Sequence, residues 1–226
     1  MLLLIDHADV KTIQALYEEF PYDGVTTNPS ILQAVGKNPI QVLKEIRAFL
    51  PQTAQLHAQV ISRDHQGMLK EAQHIWDEVG ADTYIKVPVT KEGLKAIAAM
   101  HAKGVKNITA TAIYTAMQAF LAAKAGARYT APYVNRIDNL GANGVQTAKD
   151  IHTMFCQYGM KADVLAASFK NSQQILELLK AGIGAITAAP DTLRNLPVCD
   201  AADCAIDVFV RDFESIDPSA KTMADF

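Results

Sequence analysis

Short apolar runs alternate along this chain with longer stretches in which apolar and polar positions recur at helical spacing. The runs fall at Leu2–Asp6, Gly24–Asn28, Gln55–Ile61, Thr83–Val89, Asn107–Tyr114, Tyr129–Asn135, Asp163–Phe169 and Ala185–Ala189, eight predicted strands in all. Between them the helical pattern occupies Val10–Phe20, Ile40–Leu50, Asp64–Val79, Gly93–Lys103, Thr115–Ala125, Val145–Tyr158 and Ser172–Ala181. In Ile40–Leu50, for example, Ile40, Leu43, Ile46, Ala48 and Leu50 interleave with Gln41, Lys44, Glu45 and Arg47, the pattern of a helix with one buried stripe. Asp9, Asn38, Thr90, Thr115 and Asn171 stand where N-caps are needed, and Gly80, Gly104, Gly126, Gly159 and Gly182 where helices end. Beyond the last strand, residues 199–214 predict one further helix, its pattern clearest over Ala201–Phe213.

Strict alternation of strand and helix implies parallel pairing through right-handed crossovers, in either an open doubly wound sheet or a closed barrel. An open sheet of this kind usually carries a glycine-rich loop after its first strand, whereas Asp6-His7-Ala8-Asp9 contains no glycine. Eight units in 226 residues suit the barrel. No low-complexity segment, proline-rich linker or charge block marks a boundary. The expected fold is therefore α/β: a single (β/α)8 TIM barrel over residues 1–226 with an additional C-terminal helix.

Composition narrows the functional class. At 50% hydrophobic and 20% charged, the chain has material for one large core. A net charge of −3 provides no basic field for nucleic acid or an anionic membrane, and neither is an expected partner. No run nears the roughly 20 apolar residues that span a bilayer. The opening Met1–Ile5 run is cut short by Asp6 and lacks the basic region and cleavage site of a signal peptide. Cys156, Cys199 and Cys204, an odd set without CxxC spacing, read as reduced thiols, so a cytoplasmic location is expected. The histidines show no zinc-binding spacing, and the reading calls for no metal and no cofactor.

Parallel strands buried on both faces should read as nearly continuous Val, Ile, Leu and Ala. Unpaired polar groups there cost roughly 2–7 kcal/mol on transfer scales. Yet nearly every predicted strand carries one toward its C-terminal half: Asp6, Thr26 and Asn28, Gln59, Lys86, Thr111, Tyr133 and Asn135, and Ser168. In a barrel those ends converge on one mouth, where active sites are built. Lys86, in Tyr84-Ile85-Lys86-Val87-Pro88-Val89, has apolar neighbours on both sides and no acid within three residues. Desolvation disfavours an ammonium there and leaves the neutral, nucleophilic amine that imine formation with a ketone requires. A strand lysine can instead lay its stem over apolar surface and reach water. Facing Asp6, Asn28 and Thr111 across a barrel, Lys86 reads as catalytic.

Asp9 is the better helix cap, which frees Asp6 to hold a substrate hydroxyl. Tyr133 is a proton donor and acceptor if Gln59 and Thr111 hold a water against it, or else a core tyrosine with a satisfied hydroxyl. Arg136 is the best candidate clamp for an oxyanion or phosphate, with Ser168 as hydroxyl partner, or else a solvated loop arginine. Were Lys86 only a phosphate counter-ion, the same barrel would be a non-covalent sugar-phosphate binder or an isomerase.

Four segments carry a resemblance: Gly24-Val25-Thr26-Thr27-Asn28-Pro29-Ser30, Ile85-Lys86-Val87-Pro88-Val89-Thr90, Ala131-Pro132-Tyr133-Val134-Asn135-Arg136-Ile137-Asp138 and Val164-Leu165-Ala166-Ala167-Ser168-Phe169. In order and spacing, from Asp6 to about the eighth strand, they resemble the short transaldolase family, and within it the bacterial fructose-6-phosphate aldolases. That resemblance implies a class I mechanism in which Lys86 forms an imine with a ketose or dihydroxyacetone. It implies that Asp6, Asn28 and Ser168 hold donor hydroxyls, that Arg136 and Ser168 receive a phosphate, and that Thr26 helps line the pocket. Gln59, Thr111 and Tyr133 would position a proton-shuttling water. Relatives are typically decamers of two stacked pentamers with the C-terminal helix packed on a neighbour, so a homo-oligomer is implied, acting on small sugars and sugar phosphates. Transaldolases of the family generally place a glutamate where this chain has Gln59, which favours fructose 6-phosphate cleavage over transfer of the dihydroxyacetone unit. The chain departs from its relatives at His57 and at Ala188-Ala189-Pro190-Asp191.

Overall fold

The computed structural model describes residues 1–217 and 219–225. The elements run β1 (Leu2–Asp6), α1 (Val10–Glu19), β2 (Gly24–Thr26), α2 (Pro29–Val35), α3 (Pro39–Phe49), β3 (Gln55–Gln59), α4 (His65–Val79), β4 (Tyr84–Pro88), α5 (Lys91–Ala102) and β5 (Ile108–Ile113). They continue with α6 (Ala116–Ala125), β6 (Tyr129–Pro132), α7 (Val134–Asp138), α8 (Gly144–Gln157), β7 (Asp163–Ala166), α9 (Ser172–Lys180), β8 (Ala185–Ala188), α10 (Pro190–Arg194) and α11 (Asp200–Glu214). The eight strands close in sequence order into one parallel barrel, with β8 returning to pair with β1. The expected (β/α)8 barrel is the observed one, and a helix follows it.

Two compact units divide the chain, Met1–Leu193, which holds the barrel, and Arg194–Phe226, which holds α11. On α11, Ile206, Phe209 and Val210 share one stripe at helical spacing, and all three are exposed. Among the described residues no helix is long and apolar enough to cross a membrane.

Inside the barrel Leu4, Tyr129, Leu165 and Ala185 pack together with Leu2 and Tyr84, joining side chains from β1, β4, β6, β7 and β8. Side chains alternate along a strand, so two residues further on the same inward face carries Asp6, Lys86, Ala131 and Thr187. The apolar layer thus ends one step below the polar one. Around the outside, α4 turns Met68, Ala72, Ile75 and Val79 to the core, and Asp64 caps it by accepting from the Gly67 N–H at 2.9 Å. All five expected N-caps accept such a bond from their helices. Gly93 lets α5 sit close to the strand that carries Lys86, because a Cβ there would lie 1.9 Å from the Pro88 carbonyl oxygen.

Most strands end sooner than the apolar runs suggested, because several runs pass straight into a helix or its cap. Asn28 is the N-cap of α2 rather than a strand residue, and Asn135, expected in the sixth strand, lies on α7. The short helices α2, α7 and α10 did not register as periodicity, because one or two turns cannot show a 3.6-residue repeat against the adjoining strand pattern.

Candidate active site

At the C-terminal mouth, Lys86 rises from the middle of β4 and is only 4% exposed. Its Nζ donates to the Thr27 carbonyl at 2.8 Å. Burial pushes the Lys86 amine below its ordinary pKa; Asp6 opposes that shift and the Arg136 guanidinium adds to it. Thr27 is in turn held by β3, its N–H and its hydroxyl both donating to the His57 carbonyl at 2.9 and 3.0 Å. The amine therefore sits on a hydrogen-bonded ledge in a dry wall rather than snorkelling to solvent.

Asp6, at the end of β1, accepts from the Thr26 hydroxyl at 2.7 Å. A threonine hydroxyl has one proton, so the 2.7 Å contact between Thr26 and Thr187 has Thr187 donating. Thr26 is fully buried in this chain of three, its hydroxyl held on Asp6. Asn28 spends its side-chain oxygen on the Ile31 N–H at 3.0 Å, leaving its amide N–H groups for a ligand.

Across the mouth, the Thr111 and Tyr133 hydroxyls meet at 2.9 Å. The Arg136 guanidinium lies over the Tyr133 ring, 4.6 Å from its centroid, so this exposed arginine on α7 is stacked rather than free in a loop. Gln59 is the Cα partner of Lys86 on β3, and its Oε1 is buried with no hydrogen-bond partner among the described residues. A buried acceptor without a donor costs about 1–3 kcal/mol, which a bound water or substrate hydroxyl would relieve.

Ser168 lies just past β7 with φ 64°, and Ala112, next to Thr111, has φ 58°. These are the two non-glycine residues with positive φ among those described, and each adjoins the mouth. The β5–β6 register shifts between Ala110 and Ile113, a bulge that brackets Thr111. Left-handed backbone of this kind costs on the order of 1–3 kcal/mol and clusters at functional sites. At Ser168 the conformation turns the carbonyl to accept the Asn135 N–H at 2.7 Å, tying the end of β7 to the helix that bears Arg136.

The structure thus gathers Lys86, Asp6, Thr26, Thr111, Tyr133 and Arg136 through direct contacts or electrostatic coupling, with Gln59 beside Lys86 by strand register. Asn28 and Ser168 stand at the ends of β2 and β7 without a side-chain hydrogen bond to the other members. Thr27, Thr187 and Thr109 were not singled out from sequence. The rule that found Lys86, a polar residue in a buried strand, also marks Thr109 and Thr187, but threonine is at home in strands and its signal is diluted. A cavity of about 1070 Å³ lined by Lys106, Phe120, Arg128 and Tyr158 contains none of these residues, and Arg128 leads into β6 at its opposite end.

A buried lysine amine, a carboxylate, a tyrosine–threonine hydroxyl pair and an arginine thus share one barrel mouth. Comparison with known proteins gives the family. The family model described as "Transaldolase/Fructose-6-phosphate aldolase" matches residues 3–223. A protein from Geobacter metallireducens (strain ATCC 53774 / DSM 7210 / GS-15) named "Probable transaldolase" is 38% identical over 216 residues, covering 96% of this chain and 99% of the relative. With a match across nearly its whole length and a barrel to go with it, the chain belongs to the transaldolase/fructose-6-phosphate aldolase family.

Proposed function

We propose that this protein is a class I aldolase that reversibly cleaves fructose 6-phosphate into dihydroxyacetone and glyceraldehyde 3-phosphate. One observation carries the reading: Lys86 is a buried amine with a lowered pKa, held at 2.8 Å on a backbone carbonyl beside groups suited to sugar hydroxyls. The neutral amine attacks the C2 carbonyl carbon, and loss of water from the carbinolamine leaves an iminium on Lys86. The C3–C4 bond then breaks as the C4 hydroxyl loses its proton, and the bonding pair moves into the iminium to give an enamine. Glyceraldehyde 3-phosphate departs. Protonation of the enamine at C3 and addition of water to the imine release dihydroxyacetone and restore the amine.

Tyr133, paired with Thr111 at 2.9 Å, takes the proton-transfer role, through a water held by the unpartnered Gln59 Oε1. Asp6 and Asn28 hold donor hydroxyls. Arg136 and Ser168 receive the phosphate, and a planar guanidinium stacked on Tyr133 is pre-oriented to do so. The exposed stripe of α11 suits packing between copies in a homo-oligomer.

The similarity to a "Probable transaldolase" supports a second reading, transfer of the dihydroxyacetone unit to another sugar phosphate. Gln59 weighs against it. An amide neither gains nor loses a proton at neutral pH, so it orients water for hydrolysis rather than holding a proton until an acceptor aldehyde arrives. Purified protein should form glyceraldehyde 3-phosphate from fructose 6-phosphate without an acceptor, and borohydride should fix a three-carbon adduct on Lys86. Product only in the presence of erythrose 4-phosphate would make the protein a transaldolase. Turnover with no adduct would remove the imine.

A further inference from the structure

We propose that His57 is a positioning residue that sets Lys86 from beneath, through Thr109 and Thr27; the inference rests on Lys86 being the imine-forming amine. His57 is fully buried on β3, two residues before Gln59, and none of the steps above uses it. Its imidazole stacks on Tyr84, with ring centroids 4.5 Å apart and planes 13° from parallel. Tyr84 is two residues before Lys86 on the same face of β4. Nδ1 lies 3.0 Å from the hydroxyl of Thr109, the Cα partner of Lys86 on β5. The backbone carbonyl of His57 receives both Thr27 donors, and the Thr27 carbonyl receives Lys86 Nζ. From one residue, then, contacts run to β4 below the lysine, to β5 beside it and to the ledge under its nitrogen.

The hydrogen bonds also select the form of the ring. Nε2 lies 3.0 Å from Gln55 Oε1, which only accepts, while Gln55 Nε2 donates to the Tyr129 hydroxyl at 3.2 Å. Nε2 therefore carries the proton, and in the neutral ring Nδ1 accepts from Thr109. Burial, and secondarily the charge of Lys86, drive the imidazole toward that neutral form. The titratable groups around the pair are few: the Tyr84 and Tyr129 phenols beside the ring, and Asp6 and Arg136 acting on Lys86 from β1 and α7. A cationic ring here would put a second positive charge beneath the iminium in a low-dielectric core. The neutral ring instead lends dipoles to the layer under the ammonium and fixes the height of the amine.

The test is reductive trapping of dihydroxyacetone on the whole protein, followed by rate and mass across pH, for wild type, His57→Phe, Thr109→Val and Thr109→Ser. Phe keeps the stacked plate and loses the hydrogen bonds. In His57→Phe and Thr109→Val the limiting trapping rate should fall about tenfold, roughly the worth of one misplaced hydrogen bond. The pH midpoint should move to lower pH, because a less polar layer solvates the ammonium less. Thr109→Ser should restore both. A merely structural role would reduce the yield of folded protein and leave the midpoint alone, which overturns the proposal, as does wild-type behaviour in both variants. Should either variant not fold, imidazole nitrogen NMR of the wild type decides. An Nε2–H tautomer that responds when Lys86 is trapped upholds the inference; an Nδ1–H tautomer, or signals indifferent to trapping, overturns it. If the wild type forms no adduct, the imine reading and this inference fall together, whereas a trapping wild type with indifferent variants overturns this inference alone.

Discussion

Replacing Tyr133 by Phe removes a single oxygen whose one described partner is the Thr111 hydroxyl at 2.9 Å. The ring has other reasons to stay where it is. Arg136 covers one face at 4.6 Å, and Tyr114 meets it edge-on with centroids 5.8 Å apart. Loss of the hydroxyl leaves the buried Thr111 without that partner, a cost of about 1 kcal/mol, the net worth of one hydrogen bond. A domain with about 5–15 kcal/mol of stability remains folded after such a loss. Removing a general acid–base group, by contrast, lowers a rate by about 10²–10⁴, or roughly 2.7–5.4 kcal/mol in the barrier. The two effects are therefore separable. In a coupled assay of glyceraldehyde 3-phosphate formation, Tyr133→Phe should lose at least about a hundredfold in kcat with KM changed a few-fold at most. The melting temperature should move by only a few degrees, and borohydride should still fix the adduct on Lys86. A Tyr133→Phe enzyme within about threefold of wild-type kcat would refute the assignment of the proton transfer to this pair.

Arg136→Gln should raise KM for fructose 6-phosphate by about tenfold or more, the worth of a charge-assisted hydrogen bond, while trapping of phosphate-free dihydroxyacetone should not fall; equal losses for both ligands, read from adduct mass and steady-state kinetics, would argue against a phosphate clamp. Gln59→Glu installs an exchangeable proton beside Lys86 and should raise the ratio of transfer to erythrose 4-phosphate over simple cleavage, measured by product chromatography; an unchanged ratio would detach Gln59 from the choice of reaction. Acid should destabilise the fold through His57, whose pKa lies well below 6.5 because it is buried. Below pH 6.5 the unfolded chain takes up a proton that the folded one refuses, so stability falls by about 1.4 kcal/mol per pH unit until the folded pKa is reached. Above pH 6.5 this contribution is flat. Denaturant titrations of wild type and His57→Phe at pH 7.5 and 5.5 isolate it, since the exposed carboxylates cancel in the difference, and equal pH slopes for the two proteins would sink it.

What the sequence made legible follows from how barrels are built. A strand buried on both faces advertises itself by apolar continuity, so β1 to β8 and their order could be read directly, and a lone lysine in such a run is conspicuous. Asp6, Lys86, Thr111 and Tyr133 were visible as interruptions of that continuity. What the interruptions touch was not. Nothing in one dimension says that Thr26 faces Asp6 and Thr187, or that the Asn28 oxygen is consumed by a helix cap, because those contacts depend on barrel stagger and on helices of one or two turns. Arg136 is a related case, since its stack on Tyr133 depends on α7, five residues long and invisible to periodicity. The left-handed backbone at Ser168 was equally hidden, for serine does not announce positive φ as glycine does.

The electrostatics of Lys86 suggest why its neighbours have the charges they do. Burial lowers the amine pKa most, Asp6 works against that shift, and Arg136 reinforces it. Before substrate arrives, the balance shifts the group toward the neutral amine that, on the proposed reading, attacks a carbonyl. On the proposed reading, a phosphate settling against Arg136 cancels much of the guanidinium field just as the amine is about to become a cation. Asp6 is then the dominant charge facing the nitrogen, and it stabilises the iminium. One arginine would thereby favour a nucleophile in the empty site and tolerate an electrophile in the filled one, with no residue changing its position. A phosphate-free donor lacks that exchange. It should form the iminium against an undiminished Arg136 field, so the advantage of a phosphorylated ketose would lie in the chemistry of the amine as well as in binding.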